Sequence, residues 1–184
     1  MSWFRVLGWG FVLALLVTPA IAMRFSDEVQ WTAFDFIVAA VLLGGTGLLI
    51  ELGARLSTNI AYRVGMTIAV LNCLLIVWLN LAVGIIGNEE NPANAMYLSV
   101  LGLVAVGSIV VRAKANAMSW LMIATAITQL CISLAAVLLE IPADLQPAFF
   151  LNSAFAILWL IAAGLFKVAS GRYDEDKPAT QKQP

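Results

Sequence analysis

The sequence contains no histidine, and only 11% of its 184 residues are charged. Without histidine there is no His-ligated haem, no common zinc site and no imidazole general base. The two cysteines, Cys73 and Cys131, both lie inside apolar runs. A thiol in such a setting serves most often as a small hydrophobe, so no disulfide is expected and the redox compartment is not readable from them. The shortage of charge excludes an ordinary soluble domain of this length, which carries roughly 25% charged residues. No metal, no cofactor and no nucleic-acid partner is expected.

What the chain has instead is apolar length. Six stretches are each about long enough to cross a bilayer: Phe4–Met23, Ala33–Leu56, Ala61–Ile86, Ala93–Val111, Met118–Leu139 and Ala148–Val168. They predict an all-α fold, a polytopic transmembrane helical bundle of six spans in a single domain over residues 1–169. The polar, proline-containing tail at 170–184 is read as disordered. The first span also fits a secretory signal peptide, with Arg5 ahead of the apolar run and Ala20-Ile21-Ala22 as a cleavage site. Its apolar run is long for that role, and retention is the expectation.

The connections between spans alternate in sign. Acids mark the first, third and fifth: Asp27-Glu28, Glu89-Glu90, and Glu140 with Asp144. Bases mark the second and fourth: Arg55 with Arg63, and Arg112 with Lys114. With Arg5 before the first span and Lys167, Arg172, Lys177 and Lys182 after the last, nine of the ten Lys and Arg fall on one side, and Arg24 alone on the other. The positive-inside rule then places both termini in the cytoplasm. Trp3, Trp9, Tyr62, Trp120 and Tyr173 near one edge, and Phe25, Trp31, Tyr97 and Phe149 near the other, match interfacial belts.

The spans read as three out-and-back hairpins, and the last two can be superposed: Met66 on Met122, Asn72-Cys73 beside Thr128-Gln129, Pro92-Ala93 on Pro147-Ala148, and Arg112 on Lys167. The base positions follow from topology alone, so only the proline and polar matches speak for duplication. Such repeats would be parallel, because each unit has an even number of spans.

Polar side chains inside lipid are costly, and each needs a reason. Asn72 and Asn80 of the third span share a face with Gly65, Ala69 and Gly84. On the fifth span Thr125, Gln129, Ser133, Ala136 and Glu140 share one. The second span has Ala40, Gly44, Gly47 and Glu51, with Arg55 one turn on as a local ion-pair partner; the sixth has Asn152, Ala156, Ala163 and Lys167. Helix packing accounts for such faces, since small residues admit close approach and amides bond across helices. The sharper reading is a polar pathway through Asn72, Asn80, Thr125, Gln129 and Ser133. Gly44-Gly45-Thr46-Gly47 has neither nucleotide-loop spacing and belongs to helix packing.

The densest motif runs Trp78-Leu79-Asn80-Leu81-Ala82-Val83-Gly84-Ile85-Ile86-Gly87-Asn88-Glu89-Glu90-Asn91-Pro92-Ala93-Asn94. It reads as a helix stop at the glycines, an acidic turn, and a helix start with Asn91 as cap and Pro92 in first position. This run, together with Asp27 to Thr32, Asp35-Phe36 and Gly45 to Leu49, resembles a family of small bacterial inner-membrane proteins with no assigned activity. The resemblance covers Phe25 to Ala169. It implies a bacterial inner-membrane location and marks Asp27, Asp35, Glu89 and Asn91 as a candidate outer-face site. Asn91-Pro92-Ala93 is also similar to the triplet of aquaporins, but the nearest second copy, Gln146-Pro147-Ala148, lies on the same side, and no loop is long enough for a re-entrant helix.

Three classes of function follow. A non-catalytic accessory or assembly factor acting through helix–helix contacts fits the short loops and small-residue faces; its partner would be another membrane protein or a second copy. A small-solute transporter or channel would use the polar faces of the third and fifth spans. An enzyme would need paired carboxylates at the outer surface with perturbed pKa values, and nothing in their spacing brings them together.

Overall fold

The computed structural model describes residues 3–26, 29–141, 143 and 145–175. Among these are six α-helices: α1 (Trp3–Ala22), α2 (Ala33–Leu56), α3 (Ile60–Ala82), α4 (Tyr97–Val110), α5 (Ala115–Leu138) and α6 (Leu145–Glu175), with a short 3₁₀ helix, Pro92–Met96, leading into α4. All six are long and apolar enough to cross a membrane, the fourth with its 3₁₀ turn included. A helix satisfies its interior backbone N–H and C=O groups within its own segment, which an apolar solvent demands.

The observed bounds depart from the apolar runs at several helix ends, most tellingly at the C-termini of α3 and α6. The third run extends to Ile86, but α3 stops at Ala82, because Gly84 and Gly87 take left-handed φ values of 70° and 74°. A side chain at Gly84 would strike the backbone of Asn88. At the other end of the chain, α6 continues through Ser170 to Glu175, beyond the expected start of the tail. Residues 176–184 lie outside the described residues, as do Asp27, Glu28 and Asp144.

The chain divides into two compact units, residues 1–52 and 53–184. In the first, α1 meets α2 at isolated contacts. Arg5 forms an ion pair with Glu51, so Glu51 reaches across to α1 as well as lying one turn from Arg55. The Trp9 ring packs where a Gly47 side chain would be, 3.3 Å from that position, so Gly47 serves packing, whereas a side-chain carbon added at Gly44 or Gly45 would meet nothing within 4 Å. The start of α2 is built locally. Asp35 Oδ2 accepts from the Thr32 N–H (2.7 Å) and hydroxyl (2.8 Å), and Thr32 Oγ1 accepts from the Asp35 N–H. Trp31 meets Phe36 edge-on at 5.3 Å. This is a capping box closed by a hydrophobic staple. Most of α1 remains exposed, and no residue of its spanning window is buried.

The second unit has α6 at its centre. α6 packs against α5 and α3, and α4 packs against α5. The sequence neighbours α3 and α4 are not principal packing partners. Along α6, Ala148, Asn152, Phe155, Ala156, Trp159, Ala162, Ala163, Phe166 and Ala169 are buried, a helical repeat in which alanines let neighbouring helices come close. Gly65 of α3 is such a contact: a side chain there would stand 3.2 Å from Leu165 Cβ and 3.4 Å from the Ala162 carbonyl. Tyr62 meets Phe166 edge-on at 5.1 Å and donates its hydroxyl to the Ala113 carbonyl at 2.8 Å. That carbonyl belongs to the left-handed Arg112-Ala113 turn between α4 and α5. Glu140 is not on the helical face of α5: it lies past the end, exposed, with φ 49°.

Candidate functional site

Asn152 is a hub inside the second unit. It sits on the buried face of α6 and is fully inaccessible. Its Oδ1 accepts from Gln129 Nε2 of α5 at 2.6 Å, and the Tyr97 hydroxyl of α4 lies 3.1 Å from Oδ1 and 2.9 Å from Nδ2. One amide thus ties three helices. One turn further along α6, the Phe155 carbonyl accepts from Asn72 Nδ2 of α3 at 3.1 Å, which brings in a fourth. In lipid such bonds contribute about 1 kcal/mol each.

The predicted pathway residues are therefore dispersed among separate partners. Asn72 bonds to the α6 backbone and Gln129 to Asn152. Asn80 donates to the Ile76 carbonyl of its own helix at 2.8 Å. Thr125 donates to the Leu121 carbonyl at 2.8 Å, likewise within its helix. α3 and α5 do not pack principally on each other; both pack on α6. Asn152 was visible in the sequence only as part of a small-and-polar face, and Tyr97 only as an interfacial aromatic. Both occur just inside the same end of their spans, and this matched depth is the sequence signal that pairs them.

Five buried polar atoms find no protein partner among the described residues: Asn72 Oδ1, Asn80 Oδ1, Gln129 Oε1, Ser133 Oγ and Trp159 Nε1. A buried orphan of this kind costs about 1–3 kcal/mol. The network and its orphans are amides, hydroxyls and an indole, none of which is charged near neutral pH. They can hold helices together, or hold water or a small neutral polar molecule, but offer no acid, base or nucleophile. Among the described residues no group of His, Cys, Asp or Glu could hold a metal ion.

The outer-face candidates have structural employment. Asp35 closes the capping box of α2. Asn91 caps the 3₁₀ helix, its Oδ1 accepting from the Ala93 N–H at 3.0 Å. Glu89 is exposed in the turn, and Asp27 lies outside the described residues. The turn has a further organiser that the motif displayed without a role. Asn94 Oδ1 accepts from the N–H groups of Ile85 (3.1 Å) and Ile86 (2.9 Å), and its Nδ2 donates to the Asn88 carbonyl at 2.7 Å. Ile85 and Ile86 are thereby held in the core, 3% and 0% exposed. The glycines, Asn91, Pro92 and Asn94 of the densest motif are thus explained by the shape of one turn.

Comparison with protein-family models, with curated proteins and with solved structures finds no match.

Proposed function

We propose that this is a non-catalytic integral protein of a bacterial inner membrane, an accessory or assembly factor that works through helix–helix contacts. Its six spans form three out-and-back hairpins with both termini in the cytoplasm, as the one-sided distribution of Lys and Arg argues. The observation that carries the functional reading is the dispersal of the polar side chains. Asn72 and Gln129 bond to different atoms of α6, so their polarity serves to hold the bundle together and does not line a common path. Supporting it, the network contains no group that is charged near neutral pH, which ion or proton translocation ordinarily requires. Asp35 is engaged by Thr32 at the start of α2, and Glu89 is exposed in its turn.

One observation favours a second reading, a small-solute carrier. The orphaned Asn72 Oδ1, Gln129 Oε1 and Ser133 Oγ are acceptors that a neutral, hydrogen-donating solute would satisfy.

Native mass spectrometry of the full-length tagged protein, released gently from the membranes of the cells that make it, separates the two. A second polypeptide at fixed stoichiometry supports the accessory reading. A monomer or symmetric oligomer that retains a small molecule, lost in Gln129→Leu, contradicts it and moves the protein to the carriers.

A further inference from the structure

A groove of about 310 Å³ opens between α5 and α6. Trp120 and Ile123 of α5 and Leu160, Ala163 and Gly164 of α6 line it. It is open at Gly164, where an added side-chain carbon would meet nothing within 4 Å.

Its polarity is graded along its length. α5 and α6 run antiparallel, so Ser119 and Lys167 lie toward one end, and Ile123 and Leu160 toward the other. Lys167 is exposed, and its ammonium donates to Asn116 Oδ1 at 3.0 Å. Among the described residues that neutral amide is its only partner, and two of its three N–H donors remain for something else. Arg112 and Lys114, both exposed, belong to the turn that leads into α5 at this same end. Trp120, 65% exposed beside the groove, has the amphipathic ring that favours headgroup depth.

We propose that this groove binds an anionic phospholipid, with one acyl chain along Ile123, Leu160 and Gly164 and the phosphate on the Lys167 ammonium. An apolar trough facing lipid fills with hydrocarbon, because no water is there to occupy it. Lys167, the cation that lines it among the described residues, turns that filling into a choice, since a basic pocket between spans at the basic side of a membrane favours an acidic headgroup. A zwitterionic lipid offers the same chains but cancels the attraction within its own headgroup. This inference is independent of the functional reading above, because a carrier and an accessory factor could both hold such a lipid.

The test is competition of phosphatidylglycerol against phosphatidylcholine of identical chains for the full-length protein, read by native mass spectrometry as retained lipid. The wild type should retain phosphatidylglycerol about fivefold more, the factor expected for one lysine close to an anionic headgroup. Lys167→Gln should abolish that preference while Lys167→Arg keeps it. Gly164→Leu, which enters open space, should evict both lipids without lowering the melting temperature. Should Gly164→Leu not fold, Leu160→Trp fills the same groove one turn away along α6. Free glycerol phosphate should not compete, which separates a lipid site from a phosphate site. Equal retention of the two lipids by the wild type, or unchanged retention in the groove-filling variants, would overturn the proposal.

Discussion

The two units of this chain are built from equally apolar helices but differ in how much they bury. The spanning window of α1 has 0% of its residues buried and that of α2 has 11%, whereas in the second unit α3 has 28% and α5 and α6 reach 39% each, with α4 at 11% like α2. Hydropathy does not separate them, since all six pass as membrane spans. What separates them is composition along one face. α6 presents Asn152, Trp159 and a ladder of alanines to its neighbours. α1 presents leucines, valines and phenylalanine on every side. In lipid the apolar side chain brings a helix into the membrane but gives it no reason to leave lipid for another helix; close packing and interhelical hydrogen bonds do that. Within the first unit the contacts are accordingly few and specific, the Arg5–Glu51 ion pair and Trp9 on Gly47.

If that contrast is right, damage should depend on which unit receives it, with unfolding read by denaturing-detergent titration in mixed micelles. The largest effect belongs to Trp159→Ala at the fully buried centre of α6, which should cost about 3–5 kcal/mol, as other large-to-small core changes do. Asn152→Leu comes next. It strands the Gln129 amide and the Tyr97 hydroxyl and should cost about 2 kcal/mol. Asn94→Ala frees the Ile85 and Ile86 N–H groups and should cost about 1–2 kcal/mol. Its signature is faster proteolysis within residues 84–90 of the turn. Smallest is Leu13→Ala on α1, 61% exposed, which should stay within about 0.5 kcal/mol. A loss there as large as that of Trp159→Ala would erase the distinction between the units.

The comparison also explains what could be read from the sequence. The existence of all six helices follows from apolar length, and the bounds of α2 agree to the residue. The turn after α3 was legible as a turn because Gly84, Gly87, Asn91 and Pro92 each act locally. Asn94 was not legible as its clasp, because its partners lie eight and nine residues back, at a spacing set by the turn's own shape. The polar network was half legible. Asn72 and Gln129 stood out as amides in lipid, and a shared pathway was the natural way to join them. Their common neighbour α6 could not be inferred, because it depends on which helices pack, and α3 packs on a helix far from it in sequence. Likewise Asp35 announced itself as an acid, and only the Thr32 contacts show that the carboxylate closes a capping box.

The central claim is that the buried amides bind helices pairwise and do not line one space. Double-mutant cycles on the unfolding free energy test it directly. Gln129→Leu with Asn152→Leu should show a coupling of about 1 kcal/mol, as for other hydrogen-bonded pairs between membrane helices. Asn72→Leu with Gln129→Leu should be additive within about 0.5 kcal/mol, because the two side chains have no partner in common. Strong coupling between Asn72 and Gln129, with none between Gln129 and Asn152, would mean that the orphaned oxygens share an occupant, and would contradict the account.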